Sequence, residues 1–184
     1  HIDKDHFMTI SPDEGSMNRA IYLANVLGVD MGMYYKRLDY SRYVNGRHPI
    51  AAYEFLGPKI EGKDMILIDD MISSGDTIIK IASLLKEKGA GRVYICSTFG
   101  FFTDGLDKFD DAYKKGYFDK LLTTNLVYQS PELLEKPYYI SCDMSKYIAL
   151  IIDTLNHDTS VSHLLNPVDR IKRCVTNYMS QHEK

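Results

Sequence analysis

Met65-Ile-Leu-Ile-Asp-Asp-Met-Ile-Ser-Ser-Gly-Asp-Thr77 is the stretch that decides the fold. It reads as an apolar strand that stops at two carboxylates, then a turn of small residues that opens a helix. The run Asp64–Ile68 has the continuous apolar character of a strand buried on both faces. The helix is expected over Thr77–Lys88 and ends at Gly89, where a left-handed cap costs least.

The turn Ser73-Ser74-Gly75-Asp76-Thr77 offers backbone N–H groups, the hydroxyls of Ser73, Ser74 and Thr77, and a flexible glycine. At a helix amino end the dipole and the orphan donors favour an anion, and a phosphate monoester fits. Asp69 and Asp70, acceptor-only when ionised, suit a vicinal diol such as the ribose 2- and 3-hydroxyls. Neighbours in a regular strand point to opposite faces, so both reach one ligand only if the extended conformation breaks between them. One of the two therefore outranks the other, and the residues alone do not say which. The plainer alternative is a strand ending in solvated aspartates and a turn in which Asp76 or Thr77 merely caps the helix. A Walker loop is excluded, because Gly-x-x-x-x-Gly-Lys-Ser/Thr is absent.

Outward from this segment the chain alternates strand and helix. Strands are expected at Phe7–Ser11, Met31–Tyr35, Ala52–Leu56, Val93–Ser97, Leu121–Thr123 and Tyr138–Cys142. Helices are expected at Met17–Leu27, stopped by Gly28, at Gly105–Lys115 and at Met144–Leu155. Lys36–Pro49 is polar, rich in Arg and Tyr, and lacks either period, so it reads as a long mobile loop. Such alternation implies right-handed crossovers and an α/β fold with a mainly parallel sheet flanked by helices, ligands sitting at the carboxyl ends of the strands. Residues 1–165 form the expected domain. The polar tail 166–184, with Arg170, Lys172 and Arg173, is expected to pack on another domain or subunit.

The 184 residues are 45% hydrophobic and 26% charged, the balance of a globular domain with one sizeable core. A formal charge of -3 without a dense basic run argues against nucleic acid as a partner. No run of about 18 apolar residues points to a membrane. Cys96, Cys142 and Cys174 are scattered, which fits reduced thiols and a cytoplasmic protein. The chain begins at His1 with almost no leader before its first strand, so a fragment of a longer protein is expected, its amino-terminal domain missing.

Ile66–Thr77 resembles the phosphoribosyl pyrophosphate signature of the type I phosphoribosyltransferase fold. From about Phe7 to Leu165 the chain is similar to the carboxyl-terminal half of the ribose-phosphate pyrophosphokinases, or phosphoribosyl pyrophosphate synthetases. The supporting pieces are Ser11-Pro-Asp-Glu-Gly15, Lys36-Arg37, Glu61-Gly-Lys-Asp64, Lys88-Gly-Ala-Gly-Arg-Val-Tyr94 and Thr159-Ser-Val-Ser-His-Leu-Leu165.

The resemblance implies that Asp13 lies near a Mg²⁺ and ribose site, with Asp69 and Asp70 as further candidate ligands. Mg²⁺ takes oxygen ligands and keeps several waters, so one or two carboxylates suffice. It implies that Lys36, with Arg37 or another arginine such as Arg42 or Arg47, steadies a transferring phosphoryl group. Two positions depart from the family pattern. Leu38 stands where a basic residue commonly follows the lysine, and Phe99 where a histidine is usual between threonine and glycine. His48, His157 and His163 read as structural rather than catalytic.

The implied partners are ribose 5-phosphate and ATP, or phosphoribosyl pyrophosphate. A homo-oligomer is also implied, because in the family a neighbouring subunit completes the ATP site. A phosphoribosyltransferase acting on a nucleobase, and a regulatory phosphoribosyl-binding module without catalysis, remain the alternatives.

Overall fold

A computed structural model describes residues 2–43, 46 and 48–182. In chain order it contains β1 (Phe7–Ser11), a short 3-10 turn (Glu14–Ser16), α1 (Met17–Leu27), β2 (Asp30–Leu38), β3 (Ile50–Leu56), β4 (Asp64–Ile72) and α2 (Asp76–Glu87). There follow β5 (Val93–Gly100), α3 (Asp107–Lys114), β6 (Lys120–Thr124), α4 (Pro131–Leu134), β7 (Tyr139–Cys142), α5 (Ser145–Asn156), α6 (Ser162–Leu165) and α7 (Val168–His182).

The strands form one seven-stranded sheet in the order β3-β2-β1-β4-β5-β6-β7. All neighbours run parallel except β2 and β3, which pair as an antiparallel hairpin at one edge. From β1 the chain winds to β2 on one side, and from β4 it winds to β5 on the other. The sheet order thus reverses at the β1/β4 boundary, and such a reversal leaves a crevice beyond the carboxyl ends of those two strands.

The core follows from the apolar runs. Met8, Ile10, Met65, Leu67, Val93 and Ile95 are fully buried and share one cluster with Ile78, Ile81 and Leu85 of α2 and Phe109 of α3. On the other face α1 covers β1, burying Ala20, while the Thr9 hydroxyl donates to the Ala20 carbonyl at 3.0 Å. Gly28 ends α1 in a left-handed conformation, as its position after the apolar stripe predicts. The tail helix α7 packs against α1 of the same chain. No helix of the described residues is long and apolar enough to cross a membrane.

Two of the boundaries that differ from the sequence reading shape the site. First, β2 does not end at Tyr35: Lys36, Arg37 and Leu38 continue it, Lys36 opposite Tyr53 and Arg37 opposite Ala52, and the loop begins only at Asp39. Past Tyr34 no residue of β2 is buried, Tyr35 and Arg37 being exposed and Lys36 and Leu38 half-buried, so the apolar period-two signal is lost there. Second, β4 does not stop at the two carboxylates but runs on to Ile72, its far end paired with β5 through Met71–Phe99 and Ile72–Gly100. Met65 and Leu67 share a buried cluster with Ile72, five residues further on, so the alternation slips by one around the Asp69-Asp70 pair.

Candidate functional site

At the crevice lies a pocket of about 150 Å³, lined by Asp13 after β1, by Asp69 and Met71 of β4, and by the turn from Ser73 to Thr77 with Ile78. The strand ends deliver the carboxylates and the turn delivers the amides, so one concavity holds both kinds of group.

The turn is held open from below. Gly75 adopts φ +86°, and a Cβ on it would stand 2.3 Å from Cζ of the buried Phe109 ring, so only glycine lets the chain pass over α3 here. Helix α2 begins immediately after, with its first bond from the Ile79 N–H to the Gly75 carbonyl at 3.0 Å. The backbone N–H groups of Ser74, Gly75, Thr77 and Ile78 donate to no acceptor among the described residues. Unengaged amides at a helix start are an anion cradle. Ser74 Oγ donates to Asp76 Oδ2 at 3.0 Å, and Lys108 of α3 donates to Asp76 Oδ1 at 2.8 Å. Hydrogen bonds from Lys108 and then Ser74 hold the Asp76 carboxyl below the ordinary aspartate range, so it is an anion turned to Lys108 rather than a phosphate donor. Ser73 meets Thr103 across the turn at 3.4 Å, and the Thr77 hydroxyl has no partner among the described residues.

The two aspartates of β4 have different fates. Asp69 lines the pocket; its Oδ1 accepts from Ser16 Oγ at 2.7 Å and from the Asp70 N–H at 2.9 Å, while no donor among the described residues reaches Oδ2. Burial pushes its carboxyl above the usual range, the Ser16 hydroxyl pulls it back, and the Asp70 carboxyl and the Asp13 charge push it up again. Asp70 does not line the pocket: its Oδ1 accepts from the Met71 N–H at 2.8 Å and its Oδ2 sits 3.4 Å from the Arg19 guanidinium.

Lys36 and Arg37 part company. Lys36 Nζ reaches back to Asp13 Oδ2 at 3.0 Å, whereas Arg37 crosses to Glu54 of β3 at 2.8 Å. The Asp13 Oδ1 also accepts from the Gly15 N–H at 3.1 Å, which fixes the 3-10 turn. In the loop Arg42 sits 3.6 Å from Asp39, and His48 bonds the Arg42 carbonyl at 2.7 Å while its ring packs beside Tyr40 and Tyr43. His157 bonds the Asp153 carbonyl at the end of α5, a structural role as expected. Arg47 and the His163 side chain lie outside the described residues. Leu38 is in β2 and Phe99 in β5, where Phe99 stacks with the half-exposed Phe101.

Ser16, Arg19 and Lys108 were not singled out from the sequence, although each touches a site aspartate. A serine at a helix start reads as a cap, and Lys108 lies 32 residues from Asp76 in the chain, so neither carries a local signal. Among the described residues no group of three or more His, Cys, Asp or Glu is arranged to hold a metal ion. The oxygens of Asp13 and Asp69 nevertheless form a hard donor set of the kind that one cation can share with ligand oxygens. A larger groove of about 410 Å³ lies between α2 and α3, but it shares only Asp76 with the pocket, and its Lys108 is already bonded to Asp76 and Asp104.

Comparison with known proteins agrees with this geometry. The family model described as phosphoribosyl synthetase-associated domain matches residues 46–166. A ribose-phosphate pyrophosphokinase of Vibrio parahaemolyticus is 29% identical over 163 residues, covering 88% of this chain and 49% of that protein. The one from Thermococcus kodakarensis is 31% identical over 121 residues, covering 65% of this chain and 39% of its own length. The chain thus spans about half the length of the relatives it matches. The crystal structure of phosphoribosylpyrophosphate synthetase from Mycobacterium smegmatis shares the fold, with a TM-score of 0.68, 24% identity, 83% of this chain covered and 45% of that one. The chain belongs to the phosphoribosyl synthetase-associated domain family.

Proposed function

We propose that the pocket binds ribose 5-phosphate, and that the chain is the phosphoribosyl-binding part of a ribose-phosphate pyrophosphokinase. The observation that carries this reading is the juxtaposition, within about 150 Å³, of a turn with unengaged amides and a carboxylate with a free oxygen. The amides of Ser73–Thr77 and the Thr77 hydroxyl take the 5-phosphate. Asp69 Oδ2 accepts from a ribose hydroxyl, and Asp70 lies close enough to assist after a side-chain turn.

In the reaction that the relatives' name describes, the anomeric hydroxyl attacks the β-phosphorus of Mg-ATP. The bond to the α-phosphate oxygen breaks, giving phosphoribosyl pyrophosphate and AMP. Such transfers rest on positioning and charge stabilisation. Lys36 supplies a cation beside the pocket, with Arg37 or Arg42 able to swing toward it. Asp13, with Asp69, is the oxygen set for Mg²⁺, which when bound neutralises charge on the transferred group. The remainder of the ATP site is assigned to the part of the protein beyond this chain and to a neighbouring copy in a homo-oligomer.

Titration calorimetry with ribose 5-phosphate, inorganic phosphate and ATP, paired with an assay for AMP, tests the reading. Binding of ribose 5-phosphate with negligible turnover by the isolated chain is expected. No binding of either phosphate compound would refute it.

One observation favours a second reading. Met71, in the pocket wall, and Phe101 are about half exposed, and Phe99 stacks on Phe101 and pairs with Met71 in the sheet, so an apolar aromatic surface adjoins Met71. Such a surface suits a nucleobase, and pyrophosphate release from phosphoribosyl pyrophosphate that depends on an added base would favour a phosphoribosyltransferase instead.

A further inference from the structure

Ser16 immediately precedes α1, where a serine ordinarily turns its hydroxyl onto the helix amides. Here it makes no capping bond. Its side chain is buried, 2% exposed, and its Oγ donates instead to Asp69 Oδ1, 53 residues away, at 2.7 Å. The Asp70 N–H takes the same oxygen at 2.9 Å. Two donors on Oδ1 pin the carboxylate plane of this pocket-lining residue, and what remains is Oδ2, which has no protein donor among the described residues. Of the two donors, the backbone N–H belongs to β4 itself and would follow any movement of Asp69. The Ser16 hydroxyl is anchored in another element, the turn that carries Asp13, so it ties the Asp69 side chain to that turn.

We infer that Ser16 is a positioning residue which presents Asp69 Oδ2 to a sugar hydroxyl and so makes the pocket discriminate ribose 5-phosphate from its deoxy analogues. The inference rests on the proposed ribose 5-phosphate site and adds what sets its selectivity. The physical reason is an asymmetry of cost. A fixed, half-buried acceptor rewards a ligand that brings a hydroxyl and penalises one that brings a methylene, because the desolvated oxygen is then left without a donor. An Asp69 free to rotate would turn toward water instead, and the penalty would fade.

The test is calorimetry on the full chain with ribose 5-phosphate, 2-deoxyribose 5-phosphate and 3-deoxyribose 5-phosphate, for the natural protein, Ser16→Ala and Ser16→Thr. The natural protein is expected to prefer ribose 5-phosphate over at least one deoxy analogue by roughly tenfold or more, the worth of a hydrogen bond to a charged acceptor. Ser16→Ala should bring that ratio to within about threefold of one by losing ribose 5-phosphate affinity, while affinity for the analogue barely changes. Ser16→Thr, which keeps the hydroxyl, should restore the ratio. A merely structural serine would lower all three affinities together. An unchanged ratio in Ser16→Ala overturns the inference and leaves the site standing, whereas failure of the natural protein to bind any of the three overturns the site itself.

Discussion

Lys36 Nζ and Asp13 Oδ2 stand 3.0 Å apart, joining the turn after β1, which carries one wall of the pocket, to the edge hairpin. The two side chains are still 28% and 32% exposed, so the pair adds only about 0.5 kcal/mol to stability. On the proposed function, it holds a cation where phosphoryl charge would develop. In an assembly that turns over, Lys36→Met should lower the rate of AMP formation about 100-fold, the usual effect of removing one charge-stabilising donor. The melting midpoint should move by no more than a few degrees. A variant that keeps its full rate would remove Lys36 from the chemistry.

Gly75 carries the second expectation. Alanine there must hold a left-handed backbone and push the Phe109 ring aside, at a cost of roughly 1–3 kcal/mol in chemical denaturation. Inorganic phosphate binding should fall with it, because the turn cannot keep its amides convergent. Should phosphate still bind Gly75→Ala with unchanged affinity, the anion cradle lies elsewhere.

The unequal placement of the acidic pair ranks two substitutions, and the turn adds a third. Asp69→Asn should weaken ribose 5-phosphate binding at least about tenfold, and Asp70→Asn distinctly less, since Asp70 is outside the pocket wall. Thr77→Val removes a hydroxyl from the phosphate turn and should weaken inorganic phosphate and ribose 5-phosphate alike. Calorimetry giving Asp70→Asn the larger loss would reverse the assignment.

A fourth expectation concerns pH. Burial pushes the Asp64 carboxyl up, but the Arg92 side chain at 2.6 Å and 2.9 Å and the Arg92 N–H at 2.8 Å outweigh it, and its pKa ends below the ordinary 3.8. A depressed carboxylate pKa stabilises the fold above the unfolded value and loses that contribution as pH falls through the folded one. Arg92 is largely exposed, so the pair is worth about 1 kcal/mol at neutral pH. Urea denaturation of Arg92→Ala should show that deficit at pH 7 and a shrinking one below about pH 4. A deficit that stays constant down to pH 2 would mean that packing of the arginine, not its charge, is what matters.

Much of this was legible in the chain before any coordinates. The all-apolar runs ending near Asp69 and Ser97 read as strands covered on both faces, and Gly28 and Gly89 end the helices that precede β2 and β5. The turn with unengaged amides was legible because its chemistry is local: amides, hydroxyls and a glycine within five positions. What was not legible is what depends on distant partners. Nothing near Lys36 says that it belongs to a strand, since its order comes from Tyr53 across the hairpin. Nothing near Asp69 and Asp70 says which one faces the pocket, because Ser16 and Arg19, far back in the chain, decide it.

The packing of α7 on α1 reaches further than the last turn of the chain. Helix α1 starts at the 3-10 turn bearing Ser16 and carries Arg19, so the residues that grip the acidic pair sit on a helix whose outer flank the tail covers. Cutting the chain ahead of Val168 would leave that flank wetted and free to shift. On the proposed function, sugar binding at one end of the sheet therefore answers to the fifteen residues of α7, which do not line the pocket.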